Sequence, residues 1–134
     1  MNENYLRLID ANLNRLREGI RVVEDIFRYV YNDKQTALKL KELRHKARTN
    51  NYIELLKTRD VKNDVLRTSI KSEQNRADMN SILIANFKRA QESARVLEEF
   101  CKLISIEDSE NFKYIRYELY NLEIVLTKIT SNSK

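Results

Sequence analysis

The 134-residue sequence contains no proline, no tryptophan, one glycine, one cysteine and one histidine. With a single glycine there is no glycine-rich phosphate loop and no dinucleotide-binding fingerprint, so any phosphate must be held by side chains or helix ends. The lone cysteine, Cys101, permits neither an intramolecular disulfide nor a cysteine-rich metal centre, which agrees with a reducing compartment. The lone histidine, His45, follows Arg44 and reads as a surface or supporting group rather than a catalytic one. No apolar run approaches the length of a membrane span, and the opening Met-Asn-Glu-Asn-Tyr lacks a signal-peptide core. The expectation is a cytoplasmic protein with no membrane partner.

What is present is charge. Asp, Glu, Lys and Arg make up 34% of the chain, with both signs interleaved and a net balance of +5. The hydrophobic content of 42% suffices for one domain spanning residues 1–134. A pI of about 9.3 raises nucleic-acid binding, but there is no basic run and the cations alternate with glutamates, so small anionic ligands fit better and no nucleic acid is expected.

The most informative feature is an internal repeat. Residues 11–24 return 74 positions later as residues 85–98, and seven of the fourteen pairs are identical, among them Asn12/Asn86, Arg15/Arg89, Glu18/Glu92, Arg21/Arg95 and Glu24/Glu98. Packing alone would preserve the apolar positions first, whereas this repeat preserves Asn, Arg and Glu. Lys41 to His45 resembles Lys113 to Tyr117 at an offset of 72, pairing Arg44 with Arg116. The chain therefore reads as two helical hairpins related by a pseudo-twofold axis, and a site on that axis would receive the same residues from both halves.

Apolar residues at Ile9, Leu13, Leu16, Ile20, Val23, Phe27 and Val30 predict a helix from Tyr5 to about Tyr31. Asn32 and Asp33 end it and cap a second helix running to about Lys57. A polar loop, 58–71, leads to Ser72 as the N-cap of a third helix with Leu83, Phe87, Ala90, Ala94, Leu97 and Cys101 inward. The fourth has a seam of Phe112, Ile115, Leu119, Leu122, Leu126 and Ile129. The predicted fold class is all-α, a four-helix bundle with repeat halves at about 5–57 and 72–130 and a frayed tail from Ser131 to Lys134.

Asn12, Arg15 and Gly19 lie beside the apolar stripe of the first helix, so they either pair with glutamates in a register-fixing network or face a polar cavity. Arg116, Tyr120 and Glu123 form a second stripe on the fourth helix. In the loop, Asp60 and Asp64 are spaced to share a divalent cation, and Arg59 and Arg67 are placed to take phosphate.

The stretches Asp10 to Arg15, Arg17 to Glu24, Leu43 to His45, Arg59-Asp60, Asp64-Val65, Glu73, Arg76, Ala85-Asn86, Arg89, Gln91-Glu92, Arg95 to Phe100 and Arg116-Tyr117 resemble the helical domain fused N-terminally to some thiamine-phosphate synthases. The resemblance runs from about Arg7 to Leu126. It implies a hydroxymethylpyrimidine-phosphate kinase, a transferase of thiamine biosynthesis that uses ATP and Mg²⁺ to convert 4-amino-5-hydroxymethyl-2-methylpyrimidine phosphate to its diphosphate. In roles implied by it, Arg15, Arg44, Arg89 and Arg116 gather phosphates with Arg59 and Arg76, and Asn12 and Asn86 orient substrate or ribose. Glu18 and Glu92 position the arginines, and Asp60, Asp64 and Glu73 hold Mg²⁺, with Arg15, Arg89 and Asp60 as the catalytic set. The loop departs from the family pattern, with Val61 in place of a Thr and Leu66 in place of a Gly. The synthase portion is absent from this sequence, so the product passes to a separate synthase or the chain is part of a longer protein. A non-catalytic module that binds a thiamine precursor or a synthase partner is the competing reading, and a homodimer through the tyrosine-bearing edges is compatible with either.

Overall fold

Ile9, Leu13, Leu16, Ile20 and Val23, three and four residues apart, form one buried stripe, and the helix that carries them, α1, spans Glu3–Asp25. In the computed structural model, which describes residues 2–70 and 74–132, α1 starts at the Asn2 cap, whose side chain accepts from the Asn4 amide. Past Asp25 the helix widens into a π-helical turn, Ile26–Val30, where the Tyr31 amide donates to the Ile26 carbonyl at 3.1 Å. Asn32 then takes a left-handed conformation, φ 54°, one that asparagine tolerates better than most residues. Asp33 caps α2 (Lys34–Lys46) through the Thr36 amide.

The second helix ends eleven residues before the expected Lys57. Thr49, Asn50 and Asn51 are the reason, because short polar side chains compete with the helical backbone for hydrogen bonds, and here Thr49 donates to Asn51. The remainder of that span forms a short helix of its own, α3 (Tyr52–Thr58), anchored by the fully buried Leu55. The expected cap at Ser72 lies outside the described residues; α4 (Met79–Cys101) is capped by Asp78, which accepts from the Ser81 amide. Ser105 caps α5 (Ile106–Glu123), and the anticipated single seam breaks at Ile124 into α6 (Val125–Asn132). The expected frayed tail therefore begins inside a helix, and Ser133 and Lys134 lie outside the described residues. There are no strands among the described residues, and the long helices α1, α4 and α5 pack with α2 as a bundle. Its core includes Phe27, Phe87 and Phe112, each fully buried. Cys101, the repeat counterpart of Phe27, is likewise buried, and burial pushes its thiol up to about 11.

α1 and α4 run antiparallel. Tyr5 near the start of one meets Phe100 near the end of the other, ring centroids 6.0 Å apart, and Gly19 lies against Asn86 and Ala90. A Cβ on Gly19 would sit 3.1 Å from the Asn86 carbonyl oxygen and 3.3 Å from the Ala90 Cβ, so glycine sets how closely the helices approach.

The halves also repeat one another's polar contacts. Asn12 donates to the Leu8 carbonyl at 2.9 Å, and Asn86 to the Ile82 carbonyl at 2.8 Å. Glu24 accepts from Arg44 at 2.7 Å and 3.3 Å, tying α1 to α2, and Glu98 accepts from Arg116 at 2.9 Å and 3.2 Å, tying α4 to α5. The first latch spans 20 residues and the second 18. The π-helical turn lies inside the longer span, where a wide turn accommodates additional residues without losing the latch. The hydrogen bonds that Arg44 donates to Glu24 raise its pKa; for Arg116, burial opposes the charge, but Glu98 and Tyr120 outweigh it and the pKa is raised as well.

Two predictions follow from this packing. Gly19→Ala should lower stability in urea unfolding by about 1 kcal/mol, because overpacking against a carbonyl exceeds the gain in helix propensity, and Gly19→Val should lower it by about 3 kcal/mol. Replacing Glu24 or Glu98 by Ala leaves a mostly buried guanidinium unpaired and should cost about 3 kcal/mol, whereas the paired change Glu24→Leu with Arg44→Leu should cost less than either single loss.

Candidate functional site

The sequence places a carboxylate, Asp10, on the flank of α1 between Leu6 and Leu13, where burial leaves it only 5% exposed. A carboxylate so placed needs a cation. Arg59, the residue after α3, supplies it in a two-pronged contact, Nε to Oδ2 and Nη2 to Oδ1, each at 2.8 Å. A second tether runs the other way, from Arg7 Nη2 to the Asp60 carbonyl at 3.1 Å. Between them these contacts hold the start of the loop over the outward face of α1.

Within the loop the acids organise the backbone. Asp60 accepts from the Asn63 amide at 3.1 Å and from the Asn63 side chain at 2.7 Å, and Asp64 accepts from the Leu66 amide at 3.0 Å. The bonds from Asn63 hold the Asp60 carboxyl below the usual carboxylate range, and the bond to Asp10 holds Arg59 above its ordinary value. Both therefore stay charged throughout the neutral range.

A cavity of about 620 Å³ opens between α1 and this loop. Arg7, Arg15 and Arg59 bring positive charge to its lining, Glu18, Asp10, Asp60 and Asp64 negative charge, Asn4, Asn12 and Asn14 amides, and Leu8, Ala11 and Val61 apolar surface. Arg59 Nη1 and the Asn12 carbonyl oxygen have no hydrogen-bond partner among the described residues. Such a lining offers cationic donors, carboxylates and amides side by side to a polar molecule.

The structure thus brings together Asn12, Arg15, Glu18, Arg59, Asp60 and Asp64. It does not bring the second half to the same place. Asn86, Arg89 and Glu92 lie on α4, although the contact of Gly19 with Asn86 and Ala90 sets Arg89 level with the Glu18 end of the cavity. Arg44 and Arg116 are engaged by Glu24 and Glu98, while Arg15, Arg89, Glu18 and Glu92 are exposed and form no ion pair among the described residues. The glutamates that position arginines are therefore Glu24 and Glu98 rather than Glu18 and Glu92. Arg76 is exposed, with Nη1 on the Asn75 carbonyl, Arg67 is exposed in the loop beyond the cavity lining, and Glu73 lies outside the described residues. His45 borders a different groove, between the end of α2 and the start of α5.

The site is not shared equally by the two halves. The repeat counterparts of Asp10 and Arg7 are Ile84 and Ser81, which cannot form the two tethers. Asp10 and Arg7 are the residues that motif reasoning passed over. A lone carboxylate on an otherwise apolar flank was the available signal, and its cation could not be chosen without knowing where the loop returns. Among the described residues no three His, Cys, Asp or Glu side chains converge to hold a metal ion. Asp60 and Asp64 are placed to give a cation one or two carboxylates, the rest coming from water and ligand phosphate, a mode that suits Mg²⁺.

No solved structure matches this chain. Its sequence is similar to thiamine-phosphate synthases of Nostoc punctiforme, 40% identical over 118 residues, and Thermosynechococcus vestitus, 40% identical over 122 residues. These alignments cover 87% and 90% of this chain but 34% and 35% of the two relatives. The Rhodopirellula baltica thiamine-phosphate synthase is 35% identical over 138 aligned positions, covering 96% of this chain and 37% of its own. The chain thus spans about a third of the length of the relatives it matches. The family model that matches residues 7–125 takes in both latches, the two tethers and all of the cavity lining but Asn4, and on that match the chain belongs to the ThiD2 family.

Proposed function

We propose that the chain is an ATP-dependent kinase of thiamine biosynthesis that converts 4-amino-5-hydroxymethyl-2-methylpyrimidine phosphate to its diphosphate. The observation that carries this reading is the cavity on α1, where free arginine donors, two loop carboxylates, amides and a small apolar wall meet. Membership of the ThiD2 family and the similarity to proteins named thiamine-phosphate synthases support it.

The phosphate of the substrate has a second pKa near ~6 and is largely dianionic at neutral pH, so the attacking oxygen needs no strong base. The work left to the protein is alignment and charge neutralisation. Arg59, already fixed by Asp10, presents Nη1 without losing rotamer freedom when ligand arrives, and Arg15 faces it from α1. Arg89, exposed and without an ion pair among the described residues, lies on α4 outside the cavity lining and is assigned no contact with these phosphates. Asn12 keeps its side-chain carbonyl free to accept from the aminopyrimidine, and Leu8 and Ala11 receive the ring. Mg²⁺, when bound with ATP at Asp60 and Asp64, supplies neutralisation of the charge that develops between donor and acceptor phosphates.

A second reading has its own observation, since the chain spans only a third of the matched synthases. As an accessory domain it would bind the pyrimidine phosphate without turnover. Phosphorus NMR with Mg²⁺, ATP and the pyrimidine phosphate separates the two: the kinase gives a new diphosphate signal with equimolar ADP, and binding without ADP release overturns it.

With the kinase, Arg15→Ala and Arg59→Ala should each lower kcat/KM by about 100-fold, with unchanged circular dichroism. Asp10→Asn, which loosens Arg59 without removing it, should cost about tenfold. The rate should rise between pH 5 and 7 with a midpoint near ~6 set by the substrate phosphate. Arg59 stays protonated and Asp60 ionised across that window, their pKa values being shifted away from it, so His45→Gln should leave the profile unchanged.

A further inference from the structure

Fourteen residues beyond Asp10 along α1, a second cavity of about 370 Å³ opens beside Glu24, between the π-helical turn and α2. Its charged lining is Arg28, Lys34, Lys41 and Glu24, with Ala37 and Leu38 as an apolar wall. Glu24 has both carboxylate oxygens occupied by Arg44 and offers no uncompensated charge. The neighbouring acids are committed elsewhere: Asp33 accepts from the Thr36 amide and hydroxyl through its two oxygens, and Asp25 pairs with Arg21 at 3.3 Å. Arg28, Lys34 and Lys41 form no ion pair among the described residues, and the Arg28 guanidinium rests on the Tyr29 ring, 4.9 Å from its centroid.

Three cations without partners around one concavity make a field that a single negative charge cannot neutralise. The place is also separate from the first cavity. Along α1 the two linings come nearest at Glu18 and Glu24, six helical residues or about 9 Å apart, still beyond the roughly 3 Å separation that reacting atoms require. The repeat does not duplicate it either, because the counterparts of Arg28, Lys34 and Lys41 are Lys102, Ile106 and Lys113.

We propose that this cavity is a second, non-catalytic anion site that takes a diphosphate group, either free pyrophosphate or an organic diphosphate ester. Arg28 and the two lysines hold the phosphoryl oxygens, and Leu38 and Ala37 bound the side on which an ester would extend. The proposal stands apart from the kinase reading, since it concerns different residues and needs no turnover.

Amide NMR of the full ¹⁵N-labelled chain tests it with inorganic pyrophosphate, ADP and orthophosphate as separate titrants. Pyrophosphate should give saturable shifts at the amides of residues 32–41, at least tenfold tighter than orthophosphate. In the variant Lys34→Gln with Lys41→Gln, whose changes are at exposed positions, those shifts should need at least tenfold more pyrophosphate, while any shifts at residues 59–64 stay as in the parent. ADP moving the same amides assigns the site to diphosphate esters, and pyrophosphate alone moving them assigns it to the free anion; either supports the site. No shift at residues 32–41, equal affinity for orthophosphate, or unchanged affinity in the variant overturns it, whatever the kinase assay shows.

Discussion

Glu24 and Glu98 are buried on helices whose inward faces are mainly apolar, and a carboxylate in that position is tolerated only with a cation in direct hydrogen-bonded contact. Each obtains it from the following helix, Glu24 from Arg44 and Glu98 from Arg116. That requirement fixes the rotation and the height of α2 against α1 and of α5 against α4, which hydrophobic contacts alone would leave free to slide by a turn. The close approach at Gly19 then sets one hairpin against the other. With α1 pinned on two sides, its remaining face is the only one available to the loop, and there the arginines of the site are displayed.

Apart from Arg21 and Arg95, which make ion pairs along their own helices, the identical polar pairs of the repeat divide into two physical classes. The asparagines bond their own helices, and the buried glutamates are latches that hold each pair of helices in register. Arg15, Arg89, Glu18 and Glu92 have no such structural employment among the described residues, being exposed and without ion pairs. The site built around the first set is lopsided because a loop follows α3, and because Asp10 and Arg7 exist only in the first half. A symmetric scaffold has acquired an asymmetric mouth, as the proposed transfer between two unlike phosphates would require.

Much of the fold could be read from the chain. The stripe on α1, the Asp33 cap and the inward residues of α4 are local properties, set by side-chain period and by one short polar group at a helix start. The end of α2 at Lys46 was obscured because Leu55 and Leu56 continue an apolar pattern across a break made by Thr49, Asn50 and Asn51. The split at Ile124 was hidden for the same reason. Asp60 and Asp64 could be picked out by spacing, whereas the bond between Asp10 and Arg59 joins residues 49 apart in sequence and becomes visible only when α3 has folded back onto α1. Arg44 and Arg116 look like anion-binding groups in sequence because a buried salt bridge and a phosphate site use the same guanidinium.

The π-helical turn at Ile26–Val30 has a consequence for how the two halves have changed. The first latch encloses two more residues than the second, yet its Arg–Glu geometry is the same in kind. A β-sheet would answer such a length difference by reversing the faces of a strand, but a helix absorbs it in one wide turn and resumes its phase. A length change where α1 meets α2 can therefore be taken up in one wide turn, while the Arg44–Glu24 latch and the buried stripe of α1 keep their register.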